Sequence, residues 1–203
     1  TSGFAELDAL SGQQTYDGIG LEFDIVPATD ELNIHFVFGS EEYNEWVNTD
    51  YNDVLGIFIS GPGIPYPYPG KNIALAPNGM GVSSNHINWG NSDGCGYYSI
   101  GMYPVYYIDN CDGTYDNVMD GFTVMLTAHE FGLMQGETYY IRIVIADVID
   151  AEYDSWLFIP ANGIYSGEES SSNVISDKKS FTAYPNPVRD IFNVSYSTEI
   201  TGV

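Results

Sequence analysis

Residues Phe36–Gly63 read FVFGSEEYNEWVNTDYNDVLGIFISGPG. The two ends of this stretch are apolar, β-branched or aromatic, the composition of strands. Its middle carries Glu41, Glu42, Glu45, Asp50 and Asp53, with no Lys or Arg among them. It therefore reads as strand, acidic loop, strand, and EEYNEWV within the loop suits one helical turn. The second strand, VLGIFIS, is apolar on both faces, as a central strand covered on each side should be. A loop that crowds five carboxylates without a basic residue either faces open water or holds a cation.

Working outward, ELNIHFVF alternates, with Leu32, Ile34, Phe36 and Phe38 on one face. Before it, LEFDIVP sets Leu21, Phe23 and Ile25 against Glu22 and Asp24 and stops at Pro27. Residues 1–20 are Gly-, Ser- and Asp-rich, which predicts loop with a short turn around Ala5–Leu10. Downstream, GPGIPYPYPG excludes regular structure, and KNIALAP reads as a short strand. Residues 78–118 read as an excursion. FTVMLTAHE, TYYIRIVIAD and SWLFIPANGIY give three more strands, the first two joined by a turn from Gly132 to Gly136. About eight strands and no convincing helix predict an all-β fold, an antiparallel β-sandwich or jelly-roll-like pair of sheets.

The chain has 203 residues, with 28 Asp+Glu against 5 Lys+Arg and a formal charge of -23. Such a balance excludes nucleic acid as a partner, because phosphate binding needs a basic stripe. It disfavours anionic lipid and favours divalent cations. No run of apolar residues is long enough to insert in a membrane. The 17 Tyr and 22 Gly suit an extracellular β protein. The two cysteines, Cys95 and Cys111, lie in a Gly/Tyr/Asn-rich segment, where a disulfide replaces a missing local core. Composition changes at Ser166. Residues 1–165 form the sandwich, 166–180 a Ser-rich linker, and 181–203 resume a strand pattern with Phe192, Val194 and Tyr196 on one face.

A second acidic cluster, Asp147, Asp150, Glu152 and Asp154, ends the strand YYIRIVIAD. Loops gather at the two ends of a sandwich, so the two acidic loops are expected to meet. Calcium takes six to eight oxygens from carboxylates, carbonyls and water. Glu41, Glu42, Asp53 and Asp154 supply charge for it, with Asn52 or main-chain carbonyls beside them. The spacing is not that of an EF-hand, and the alternative for each acid is a solvated acidic surface.

No nucleophile, metal-protease or nucleotide motif is present, so the chain reads as a non-enzyme. A pair of opposed carboxylates acting on glycosides is the catalytic alternative. His35 and His129 read as ordinary sheet-surface histidines. Tyr66, Tyr68, Tyr97, Tyr98, Tyr103, Tyr106 and Tyr107 lie in loops, where flat amphipathic rings suit a glycan or protein ligand. Tyr66 and Tyr68 are the candidate contacts.

LEFDIVP, FVFGSEEY, YNDVLGIFISGPG, KNIALAP, DGFTVMLTA, TYYIRIVIAD and DSWLFI, in this order, resemble the choice-of-anchor L domain of bacterial surface and secreted proteins. The resemblance runs from about Leu7 to Tyr165. It implies a secreted β-rich module with no established enzymatic activity, and a further N-terminal part of the domain before this segment. The acids that fall in the family's motif are Glu41, Glu42, Asp53, Asp120, Asp147 and Asp154. They form the expected calcium set, leaving Glu45 and Asp50 as surface charge.

The tail, FTAYPNPVRDIFNVSY, resembles the start of a type A sorting domain of the type IX secretion system, with Tyr184, Pro185, Asn186 and Pro187 as its opening turn. That implies a Bacteroidota protein carried through the periplasm and across the outer membrane to the cell surface. Its partner would be the translocon or an outer-membrane shuttle. The expected function is a calcium-stabilised surface binding or adhesion module. A structural subunit or tail-bound secretion cargo is the alternative, and a carbohydrate-active enzyme the second.

Overall fold

The computed structural model describes residues 2–91, 95, 100–167 and 192–193. Most of the expected linker and the residues Tyr184–Pro187, expected to open a sorting signal, lie outside the described residues, as do Tyr97, Tyr98, Val194 and Tyr196.

The expected all-β sandwich is observed, as two mostly antiparallel sheets packed face to face. The first sheet runs in the order β12 (Phe192–Asn193), β1 (Thr15–Ile25), β9 (Tyr139–Val148), β3 (Val54–Ser60) and β4 (Lys71–Asn72), and β5 (Val82–Ser83) also pairs with β3. The second runs β10 (Ser155–Phe158), β2 (Glu31–Ser40), β7 (Gly121–Thr123) and β6 (Tyr107–Asp109). β8 (Leu126–Phe131) and β11 (Ile164–Tyr165) pair with β2 as well.

Strand parity builds the core. Leu32, Ile34, Phe36 and Phe38 of β2 point inward, toward Leu55, Ile57 and Ile59 of β3 and Ile141, Ile143 and Ile145 of β9. β3 is buried along almost its whole length, as its two apolar faces require. The cover on its outer face is a helix, α1 (Ala5–Ser11), where a loop and turn were expected. Seven residues are too few to be helical alone in water. Docking supplies the stability: Leu7 is wholly buried against Val54 and Phe58 of β3 and Val144, Ala146 and Val148 of β9. Gly56 makes room for this contact, since a Cβ there would meet the Phe58 ring at 2.3 Å and Leu7 at 3.1 Å. Gly12 ends the helix at φ 75°, a left-handed conformation that glycine adopts without a Cβ penalty. Arg142 of β9, itself buried, pairs with Glu6 of α1 and Glu22 of β1 and lies 4.8 Å from the Phe4 ring centre.

Other boundaries also differ from the sequence pattern. β1 begins at Thr15 rather than Leu21, because its first residues pair with the end of β9 and a bulge between Tyr16 and Ile19 absorbs the irregular glycines. FTVMLTAHE breaks into β7 and β8, and SWLFIPANGIY into β10 and β11, raising the count to twelve strands among the described residues rather than eight. KNIALAP pairs only over Lys71–Asn72. The excursion contributes β5, a 3-10 turn at Pro104–Tyr106 and β6, and it carries the expected Cys95–Cys111 disulfide. In the tail, Phe192 and Asn193 pair in parallel with Leu21 and Glu22 of the same chain.

Leu7→Ala should cost about 2–5 kcal/mol in urea denaturation, because it empties the contact that holds α1. Leu75→Ala, at an exposed position, should stay within about 0.5 kcal/mol. Equal losses would deny α1 its role as the cover of β3.

Candidate functional site

The inward stripes of three strands end in polar residues at the same end of the sandwich. On β2 the stripe continues past Phe38 to Ser40 and then Glu42. On β3 it begins one step before Leu55, at Asp53. On β9 it continues from Ile145 to Asp147. The pairings Ser40–Ser155 and Val54–Ala146 bring these ends together between the two sheets. Period-2 alternation thus carries carboxylates into the interior at the point where the hydrophobic core stops.

Asp53 is 0% exposed and its oxygens are engaged. Ser40 Oγ donates to Oδ2 at 3.1 Å, Ser155 Oγ to the same atom at 2.5 Å, and the Val148 main-chain N–H to Oδ1 at 3.4 Å. Glu42 is 1% exposed, and its Oε2 is buried with no hydrogen-bond partner. Burial pushes the Glu42 carboxyl far above the carboxylate range, and Asp53, Asp150 and Asp147 push it further. Only the Asp53 main-chain N–H acts strongly in the other direction. Asp53 is raised by burial too, against the hydrogen bonds from Ser155 and Ser40. Asp147 is raised to about 8 by burial and then by Asp53, Asp154, Asp17 and Asp150.

Among the described residues the only Lys and Arg are Lys71 and Arg142, paired with Glu130 and with Glu6 and Glu22. Among the described residues no Lys or Arg therefore offsets the charge of this cluster. Three or more His, Cys, Asp or Glu side chains do not already stand in metal-ligand geometry among the described residues.

The expected meeting of the two acidic loops is present, but the six expected ligands lie at different depths, linked by Asp154 beside Asp147 and by Glu41 beside Asp120. Glu42, Asp53 and Asp147 converge at the end of the core. Glu41 and Asp154 bracket the loops: Asp154 N–H donates to Glu41 Oε2 at 3.0 Å, and Glu41 N–H donates to the Asp154 carbonyl at 3.1 Å. Asp120 stands with Glu45, Glu41 and Asp109 instead, its carboxyl raised to about 6 by burial and those neighbours. Asp150 joins the buried group, outside the expected six. It lies in an irregular loop, where parity gives no signal.

The excursion braces this end of the molecule. Ser84 N–H donates to the Asp53 carbonyl, Asn85 N–H to Asn52 Oδ1, and Tyr43 OH to the Ile87 carbonyl. The family model of the Choice-of-anchor L domain matches residues 1–165.

The chain belongs to that family. Membership points to an exported cell-surface module. No curated protein and no solved structure matches the chain. No helix among the described residues of this choice-of-anchor L domain is long and apolar enough to cross a membrane.

The domain also has an aromatic group at its acidic end that composition alone did not single out. The Trp46 ring lies 5.1 Å from Tyr51 and 6.4 Å from Tyr153, so the group is drawn from both acidic loops. Tyr153 is 49% exposed. Tyr66 and Tyr68, at 53% and 66% exposed, follow the C-terminal end of β3 and so sit at the opposite end. The only advance signal for the trio was its position in the loops that carry the acids. His35 and His129 lie on the outer side of the second sheet, beside Thr127 and Tyr165 and beside Glu31 respectively.

The raised carboxyls give the choice-of-anchor L domain a definite pH dependence in chelator. Its folded state holds protons that the unfolded chain releases near pH ~4. Stability from Glu42, Asp53 and Asp147 is therefore greatest at low pH and declines as pH rises through their folded pKa values. Thermal melts in EDTA should show a midpoint falling between about pH 5 and about pH 8.5, with a smaller fall in Asp147→Asn. A flat wild-type profile would contradict the charge crowding.

Proposed function

We propose that the domain is a calcium-stabilised adhesion module of the cell surface that meets its ligand at the acidic end of the sandwich. The convergence of the two acidic loops carries this reading. One end of the molecule combines buried carboxylates, an exposed acidic rim and the Trp46–Tyr51–Tyr153 rings. Oxygen-rich loops suit calcium. Aromatic faces beside them suit stacking on a sugar ring or on a protein surface. Calcium there stiffens the edge that the rings ride on, so the cation acts on binding through structure.

Burial favours binding over catalysis at this cluster. A glycosidase acid must touch the glycosidic oxygen. Glu42 and Asp53, at 1% and 0% exposed, are closed off from a polysaccharide.

Export follows from the tail. The sequence YPNP at Tyr184–Pro187, after a Ser-rich stretch, supports recognition by the type IX secretion translocon or an outer-membrane shuttle, in a Bacteroidota cell.

A glycan array in calcium buffer tests the binding edge. Trp46→Ala and Tyr153→Ala should reduce the signal at least tenfold, while Tyr66→Ala with Tyr68→Ala leaves it intact. Loss only in the second pair would move the binding edge to the opposite end. Absence of wild-type binding to every glycan would reject sugar as the ligand class.

A further inference from the structure

We propose that Glu42 is the central protein ligand of a calcium ion that joins the two sheets at the acidic end, with Asp150, main-chain carbonyls and water supplying the further oxygens. This inference rests on the calcium-stabilised reading above and assigns its site.

The decisive atom is Glu42 Oε2, buried in a residue 1% exposed and without a partner. Its neighbours are other acids, Asp53, Asp150 and Asp147. A proton alone does not resolve this position. It would cancel the charge of Glu42 alone and leave Asp53, Asp147 and Asp150 beside one another without a counter-charge. A cation both neutralises the group and occupies the lone pairs of Oε2. The described basic residues are committed elsewhere: Lys71 to Glu130, and Arg142 to Glu6 and Glu22 on the outer face of the first sheet. His86 contacts Ser83 Oγ and the Gly81 carbonyl through Nδ1.

The donor chemistry selects the ion. The side chains named around Glu42 offer oxygen and neither imidazole nor thiolate, which disfavours zinc. Calcium accepts a high and irregular oxygen count, including main-chain carbonyls and water, whereas magnesium demands a near-ideal octahedron. Three acidic side chains do not already stand in ligand geometry here. The ion therefore takes its remaining oxygens from main-chain carbonyls and from water.

Asp53 has a different part. Its oxygens already accept from Ser40, Ser155 and Val148, so it is a positioning residue that sets the strand ends around Glu42. The position of the ion follows from the strands: Glu42 follows β2 in one sheet, and Asp150 follows β9 in the other. Binding would thus close the sandwich where its apolar core ends.

The test is calorimetric titration of CaCl2 into the chelator-stripped chain, with thermal melts and circular dichroism, for wild type, Glu42→Gln, Asp150→Asn and Asp120→Asn. Wild type should bind one Ca²⁺ and gain several degrees in melting midpoint. Glu42→Gln should fold and lose at least tenfold in affinity, and Asp150→Asn should lose several-fold. Asp120→Asn should match wild type. Failure of wild type to bind calcium at millimolar concentration would overturn both this site and the calcium reading. Binding that persists unchanged in Glu42→Gln, or is lost only in Asp120→Asn, would overturn the site while the calcium reading stands. If Glu42→Gln does not fold, unchanged affinity in Asp150→Asn overturns the assignment. A Glu42→Gln chain that melts higher than wild type, with no calcium effect in either, would make Glu42 a protonated core acid.

Discussion

The Asp53 carboxylate ties the two sheets together at the place where their shared core runs out. It accepts from Ser40 at the end of β2 and Ser155 at the start of β10, in one sheet. It also accepts from the Val148 main chain at the end of β9, in the other. The residue lies wholly inside the protein. A buried carboxylate so held strengthens its bonds through the low local dielectric, and the same dielectric magnifies repulsion from other acids nearby. Glu42, Asp147 and Asp150 are those acids. The end of the sandwich is thus well fixed in its backbone and unfavourable in its charge, and the adhesion and calcium readings both grow from that combination.

The opposite face of the first sheet solves a different problem. β3 and β9 are apolar on both sides and need a second cover. A seven-residue helix provides it through one leucine, and Arg142 locks the arrangement with carboxylates from α1 and β1. Both described Lys and Arg residues are thereby spent on structural pairs away from the acidic end. In a chain with 5 Lys+Arg against 28 Asp+Glu, this placement leaves the cluster without a Lys or Arg counter-charge among the described residues.

The long excursion between β4 and β7 adds little regular structure but much support. Its side-chain amides and main-chain groups satisfy the loop that holds Tyr43, Asn44 and Val47 inside the protein. Asn44 in turn donates to Asp109 and accepts from Tyr107 OH. The Cys95–Cys111 bridge joins parts of the same excursion. Polar cross-links here do what aliphatic packing does elsewhere in the domain, consistent with the poverty of aliphatic residues in that part of the sequence.

The sequence by itself determined the sandwich, the long strands β2, β3 and β9, the pairing of two cysteines, and the acidic character of two loops. Each depends on short-range pattern: alternation at period 2, apolar runs, turn residues and composition. The tertiary structure alone decided that α1 is a helix, because seven residues of weak periodicity become helical only when Leu7 has a surface to dock on. It decided that FTVMLTAHE divides, since its two halves pair with different parts of β2. It also decided which acids meet. Parity points Glu42, Asp53 and Asp147 inward, but only the registers of β2 with β10 and β3 with β9 bring them to one place. Asp120 stands beside other acids, Asp150 enters this group, and Tyr153 meets Trp46, because proximity across these loops is set by strand pairing between residues far apart in the chain rather than by neighbours in it.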